Sequence, residues 1–369
     1  MAHISDIKLI RTDTTLDLSQ KAEKGMIWTM GGASYLYYNA YDHGSLTCRC
    51  GTLLIASSGG KYNPIRTFSS HQILEATNNF DWSYAIGVDR FVWYKGTIEN
   101  RAVLIKYYKG EPFNFDPDNF YRDIAVSSMM SSHKNVLKLL GCCLEFPRPV
   151  LVCEYPEKGA LAYIGGAGEV IKPLAWSVRL KIAKEIADAV TYLHTEFPRT
   201  IIHRDLKLTN IFLDENWTAK LSSFSLSIPI PEGELGVEDI VCGTQGFGEP
   251  HYMVTGFVTE NVDIYSFGFI MLSLLTGKHG FYQEPANGDS YNMILLPDYV
   301  EKCLGRGPLA KLIDPSMLNS TDDDIPDHSK LQMEAFVNLA LRCVGFRSGE
   351  TKLHMIDVAK ELKRIQKQT

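Results

Sequence analysis

Residues 201–227 read IIHRDLKLTNIFLDENWTAKLSSFSLS, and the way this stretch is understood decides the fold. Its first half sets His203, Arg204, Asp205, Lys207 and Asn210 at a spacing suited to phosphoryl transfer. A carboxylate at Asp205 can orient a substrate hydroxyl and accept its proton. Lys207, two positions on, can screen charge on a moving phosphate. Asn210 can offer its amide oxygen to a magnesium ion. A single His-Arg-Asp would read as a polar turn before a strand. The full spacing H-R-D-L-K-x-x-N, followed by apolar Ile211-Phe-Leu213, exceeds what a polar turn needs. The second half, Ser222-Ser-Phe-Ser225, carries hydroxyls and no carboxylate.

The rest of the chain sets limits around that stretch. It has 369 residues, enough for two or three units at about 150 residues each. It is 45% hydrophobic and 22% charged, a globular composition. The net charge is −6 and no Lys/Arg block stands out, which argues against a nucleic-acid partner. No uninterrupted apolar run approaches the roughly 18 residues of a membrane span. The start, Met1-Ala2-His3, lacks the glycine for myristoylation and is not followed by a signal peptide. The eight cysteines include no C-x-x-C pair and read as reduced cytosolic thiols.

Residues 1–65 show no period and read as a loosely ordered extension. Residues 66–81 form a second segment, with a short helix from Ser70 to Thr77 that sets Ile73, Leu74 and Thr77 on one side. Residues 82–155 are strand-rich, with Val103–Lys106 and Val150–Cys153 as buried runs and a helix from Phe120 to Met130 between them. Residues 156–369 are helical. Trp176 to His194 carries Ile182, Ile186, Val190 and Leu193 on one stripe, and Asp263 to Thr276 is apolar nearly all round. Helices over 331–344 and 355–365 close the chain, with an acidic, solvated loop over 321–327 ahead of the first of them. This predicts an α+β fold of two lobes with a cleft between them, a small β-rich lobe and a larger helical one.

Residues 201–227 resemble the catalytic and metal-binding loops of protein kinases. Other pieces fall in the same order. Val103-Leu-Ile-Lys106 resembles the strand that carries the ATP-binding lysine. Asp263-Ile-Tyr-Ser-Phe-Gly268 resembles the buried helix whose aspartate braces the catalytic loop. Gly243-Thr-Gln-Gly-Phe-Gly-Glu-Pro250 resembles the end of the activation segment. Arg66-Thr-Phe-Ser and Glu75-Ala-Thr-Asn-Asn-Phe80 are similar to the lead-in of plant wall-associated receptor-like kinases. The resemblance implies Asp205 as proton acceptor, Lys106 as the ATP lysine, and structural roles for His203, Arg204 and Asp263.

The departures from that pattern sit where the chemistry needs one particular group. Ser223 stands where the metal-binding aspartate of D-F-G is expected, and Ser225 where its glycine is. That leaves Asn210 alone as a metal ligand, so magnesium binding is expected to be impaired. Of the phosphate-covering glycines only Gly87 remains, and Asp89, Arg90, Phe91 and Trp93 crowd a run one residue short. ATP binding is therefore expected to be weak, although a shortened hairpin could still cover adenine. Lys106 should meet a glutamate from the next helix. Asp123 is one methylene shorter and one position off, at a point where Ile124 takes the usual place, so the pair is left open. The activation segment has His251 for its usual glutamate and Lys352 for that residue's arginine partner. It offers Ser227 and Thr244 for phosphorylation. It also offers Glu232, Glu234, Glu238 and Asp239, one of which is expected to hold Arg204 in place of a phosphate; a solvated acidic loop is the alternative.

A short extension without a span, the lead-in Asn63-Pro-Ile-Arg66, the run Leu139-Leu-Gly-Cys-Cys-Leu-Glu145 and the degenerate loops together narrow the resemblance. The chain is similar to the plant ZED-related (ZRK) receptor-like cytoplasmic pseudokinases. That resemblance implies an adaptor or decoy in plant immune signalling. Its partners would be a coiled-coil NLR receptor and a bacterial effector or an effector-modified host kinase. It implies a cytoplasmic protein that partners can hold at the plasma membrane. The second reading is a weakly active Ser/Thr kinase in which Asp205, Lys106 and Asn210 work with a displaced metal.

Overall fold

The computed structural model describes residues 26–30, 33–37, 65–89, 91–108, 118–163, 174–244, 246–285, 291–317, 326–345 and 353–368. Expectations for most of 1–65, for Arg90, for the acidic loop over 321–325 and for Lys352 lie outside them. Within 1–65, β1 (Met26–Met30) and β2 (Ala33–Tyr37) pair antiparallel, with Met26 opposite Tyr37. The sequence signal for this hairpin is Gly31-Gly32 between two β-prone runs, which the absence of a longer period obscures.

The chain divides into two compact units. One holds the residues up to Glu157 together with Ser222–Ser227, and the other holds Lys158–Leu221 and Ile228 onward. The first unit is built on a six-stranded sheet. Its strands are β3 (Arg66–Thr67), β4 (Ala85–Val88), β5 (Phe91–Ile98), β6 (Arg101–Tyr108), β7 (Leu139–Cys143) and β8 (Val150–Glu154), in the order β3-β7-β8-β6-β5-β4. All pairs are antiparallel except β3 with β7. Among the described residues this unit also carries the α-helices α1 (Ser70–Ala76) and α2 (Asp118–Met130).

Helix α1 starts at Ser69, whose side chain accepts from the Gln72 amide while the Gln72 side chain accepts from the Ser69 amide. This reciprocal cap satisfies two amides that the helix itself leaves over. Ile73 and Thr77 are buried as the periodicity requires, and Ala76 joins them while Leu74 is only half-buried. Ile73 and Ala76 share a core with Phe68, Val92, Tyr94, Ile105 and Val152 of the sheet segment. Residues 66–81 are thus part of the first unit rather than a lead to it.

The second unit opens with β9 (Gly159–Ala160), followed by α3 (Trp176–Thr195), β10 (Ile201–Ile202), β11 (Ile211–Leu213), β12 (Ala219–Leu221), β13 (Ile228–Pro229) and β14 (Val237–Glu238). It continues through α4 (Pro250–Thr255), β15 (Phe257–Val258), α5 (Glu260–Thr276), a hairpin of β16 (Phe281–Pro285) and β17 (Tyr291–Leu295), α6 (Leu296–Leu304), α7 (Asp327–Cys343) and α8 (Met355–Gln366). The expected α+β organisation is observed, with the six-stranded sheet in the first unit and most of the helical residues in the second. Helix α5 is buried on every side from Val262 to Thr276, which explains why its sequence shows no polar stripe. Thr259 caps its start and Gly277, at φ +66°, ends it in the left-handed region.

Candidate active site

In the first unit, the register of β5 with β6 sets Phe91 opposite Tyr108 and Trp93 opposite Lys106. Lys106 and Asp123 are each only 1% exposed, and the Lys106 ammonium donates to Asp123 Oδ2 at 2.7 Å. The pair left open by the sequence therefore forms. A carboxylate one position early in the helix serves because α2 turns its Asp123 side to the strand, while Ile124 is buried. Asp123 Oδ2 also accepts from the Tyr108 hydroxyl, and Oδ1 accepts from the Phe224 amide at 2.8 Å. Burial, with Asp123 beside it, pushes the Tyr108 hydroxyl well above its ordinary range, so it stays a donor.

Ser223 belongs to the same cluster. Its hydroxyl accepts from Lys106 at 3.0 Å. Its backbone sits at φ +68°, a left-handed conformation that costs a non-glycine residue about 1–3 kcal/mol. The Lys106 and Asp123 bonds on either side of that peptide hold it there. Three rings surround the ammonium: its nitrogen lies 3.7 Å from the Phe91 centroid, 5.3 Å from Trp93 and 5.2 Å from Tyr108. Gly87 faces Trp93 across a β-bulge in β4, and the Asp89 amide donates to the Phe91 carbonyl at 2.8 Å. Among the described residues no group of three or more His, Cys, Asp or Glu could hold a metal ion.

In the second unit, Asp263 organises the loop after β10. Its carboxylate accepts from the amides of His203 at 2.7 Å and Arg204 at 2.9 Å, and meets His194 Nε2 at 2.8 Å. Burial alone would raise its pKa. The His194 hydrogen bond, with the charges of His194 and His203, outweighs that and holds the carboxyl below its usual value. Arg204, at φ +66°, depends on these bonds to keep a strained backbone.

Asp205 is buried and fully engaged. Asn210 donates to its Oδ2 at 3.0 Å and to its carbonyl at 2.8 Å, and Lys207 approaches Oδ2 at 3.2 Å. Thr244 donates to Oδ1 at 2.6 Å and accepts from Lys207 at 2.9 Å. The sequence marked Thr244 only as a phosphorylation candidate. Its place in this cluster depends on the return of the 243–250 segment, which spacing alone does not specify. The Arg204 guanidinium, 1% exposed, donates to Asp239 at 2.7 Å, to the Ile240 carbonyl and to the Tyr252 hydroxyl. Among the four acids, Asp239 binds Arg204 directly. His251 is exposed, and Glu249 caps α4 by accepting from the His251 and Tyr252 amides.

Comparison with known proteins shows the family. A protein kinase domain family matches residues 94–319. From Arabidopsis thaliana, the non-functional pseudokinase ZED1 is 51% identical over 317 residues, covering 85% of this chain and 93% of that protein. The chain belongs to the ZED-related (ZRK) family of protein kinase-like proteins. The family has the α+β kinase fold, and some of its members are named pseudokinases. Serine/threonine-protein kinase ZRK7 is 97% identical over 263 residues, covering 71% of this chain and 96% of its own. Non-functional pseudokinase ZRK2 is 46% identical, covering 88% and 89%. The ZRK family thus spans names from both sides of the catalytic question.

Proposed function

We propose that this chain is a catalytically impaired, protein-kinase-like adaptor or decoy in plant immune signalling, which links the sensing of a pathogen effector to a coiled-coil NLR receptor. The observation that carries the impairment is Ser223. At the position where kinases place a magnesium-binding carboxylate, it offers one neutral hydroxyl that accepts from Lys106 at 3.0 Å. The residues present do not suit a magnesium-bound triphosphate, since Ser223 brings a neutral hydroxyl in place of a carboxylate and Asn210 is the one expected ligand left. ATP binding is accordingly weak and magnesium binding impaired. The adaptor role rests on relatives named as pseudokinases and on the family resemblance. It places the chain in the cytoplasm, with partners able to hold it at the plasma membrane. No helix among the described residues is long and apolar enough to cross a membrane.

A specific observation favours a second reading. Asp205, Lys207 and Thr244 form a complete hydrogen-bonded cluster that could orient a hydroxyl, as a weakly active Ser/Thr kinase requires. Phosphate transfer from ATP with Mg²⁺ or Mn²⁺, run beside the Asp205→Asn variant, separates the two. The expected result is no transfer from either protein, together with co-purification of the chain with an NLR receptor. Transfer that vanishes in the variant would establish an enzyme.

A further inference from the structure

We propose that Phe91 is a closure residue that seals the Lys106 ammonium against the phosphate groups of a nucleotide. The inference rests on reading β6 as the strand of the nucleotide site, and it goes beyond the loss of the metal ligand. A lysine poised for a phosphate keeps one face of its ammonium toward the ligand. Here the ammonium donates to Asp123 at 2.7 Å and to Ser223 at 3.0 Å, and the Phe91 ring lies over it at 3.7 Å. A desolvated ammonium against an aromatic face is attracted by the ring's negative quadrupole, so this arrangement favours itself.

Phe91 is held in place on two sides. It meets Trp93 edge-on at 5.6 Å and Tyr108 edge-on at 5.9 Å, and all three rings are nearly buried. The Phe91 carbonyl accepts from the Asp89 amide at 2.8 Å, which holds the backbone from which the ring projects. Asp123 is equally occupied, accepting from Lys106, Tyr108, Ser127 and the Phe224 amide. A triphosphate entering here would have to displace a ring and compete with Asp123 in a buried setting. Loss of the metal ligand alone would leave metal-free nucleotide binding through Lys106. Closure by Phe91 removes that as well.

The test uses the full chain and its Phe91→Ala variant, with ATP as probe, once with Mg²⁺ and once with EDTA. A closed state lowers apparent affinity by the fraction of molecules that are open, so removing the ring should tighten ATP binding about tenfold or more in both buffers. Adding Lys106→Met to Phe91→Ala should abolish the gain. A second measurement on the unaltered chain covers the case in which Phe91→Ala fails to fold. A small acylating reagent should modify Lys106 about a hundredfold more slowly than exposed Lys95, because a buried amine reacts only through opening. ATP at about 1 mM should not change that rate. Protection of Lys106 by ATP in the unaltered chain overturns the proposal, and so does a folded Phe91→Ala variant with unchanged affinity. ATP binding through Lys106 without transfer would sink the closure and leave the adaptor reading intact. Transfer dependent on Asp205 would sink the adaptor reading itself.

Discussion

Asp123 gathers the Lys106 ammonium, the Tyr108 hydroxyl, the Ser127 hydroxyl and the Phe224 amide on one buried carboxylate. Removing it leaves an uncompensated buried charge, so Asp123→Ala should cost about 3–5 kcal/mol in urea denaturation. Lys106→Met should cost less, because Asp123 keeps its other donors; equal or reversed losses would contradict this account. Asp263 makes a prediction in pH. Its folded pKa lies below its usual 3.8. Its contribution is therefore complete above that unfolded value and is lost as pH falls through the lower folded one. Thermal midpoints should drop over that acid window, and Asp263→Asn should flatten this part of the drop. At this scale the structure brings Lys106, Asp123 and Ser223 together in one cluster and Asp205, Lys207 and Asn210 in another. The sequence could not decide whether Asp123 reaches Lys106, since that depends on the rotation of α2 about its axis rather than on spacing.

At the scale of elements, the segment after β13 shows how Asp239 reaches Arg204. Strand β14 pairs with β15, with Val237 opposite Val258 and Glu238 opposite Phe257. That register ends at Asp239, whose amide donates to the Gly256 carbonyl at 3.0 Å. Gly256 sits at φ +73°, and a Cβ there would lie 2.7 Å from the Asp239 carbonyl oxygen, so the close approach requires glycine. Asp239 is thereby delivered to Arg204. Register across a two-residue ladder has no periodic signature, which is why the sequence could list the acids but not choose among them. The contact also orders the segment without a phosphate. Phosphatase treatment should leave hydrogen exchange over 237–244 unchanged. Asp239→Ala should speed it and cost about 1.5–3 kcal/mol, the range for a hydrogen bond to a charged group.

Across the whole molecule, the long helices were legible because their apolar periods are local. Trp176–Thr195 and Met355–Gln366 lie within a residue or two of the boundaries that periodicity sets. The place of residues 66–81 was less legible, because β3 joins the sheet by a parallel pairing to β7, more than 70 residues away, and nothing local announces it. Ile73 is fully buried in the core of the first unit although it precedes the kinase-domain match at 94–319. Ile73→Ala should destabilise the protein by about 2–5 kcal/mol, as in any well-packed core. A loss below about 0.5 kcal/mol, typical of surface changes, would mean that α1 is an appendage.

The pairing of β3 with β7 works only because Gly141 has no side chain: a Cβ there would lie 2.1 Å from the Arg66 carbonyl oxygen. The same strand protects the molecule from its own kind. With β3 in place, β7 has a neighbour on both sides. A fragment beginning at residue 82 would present Leu139–Cys143 as a bare, largely apolar edge with unused amides and carbonyls. Such fragments should clump edge to edge and scatter light at concentrations where the intact chain stays clear.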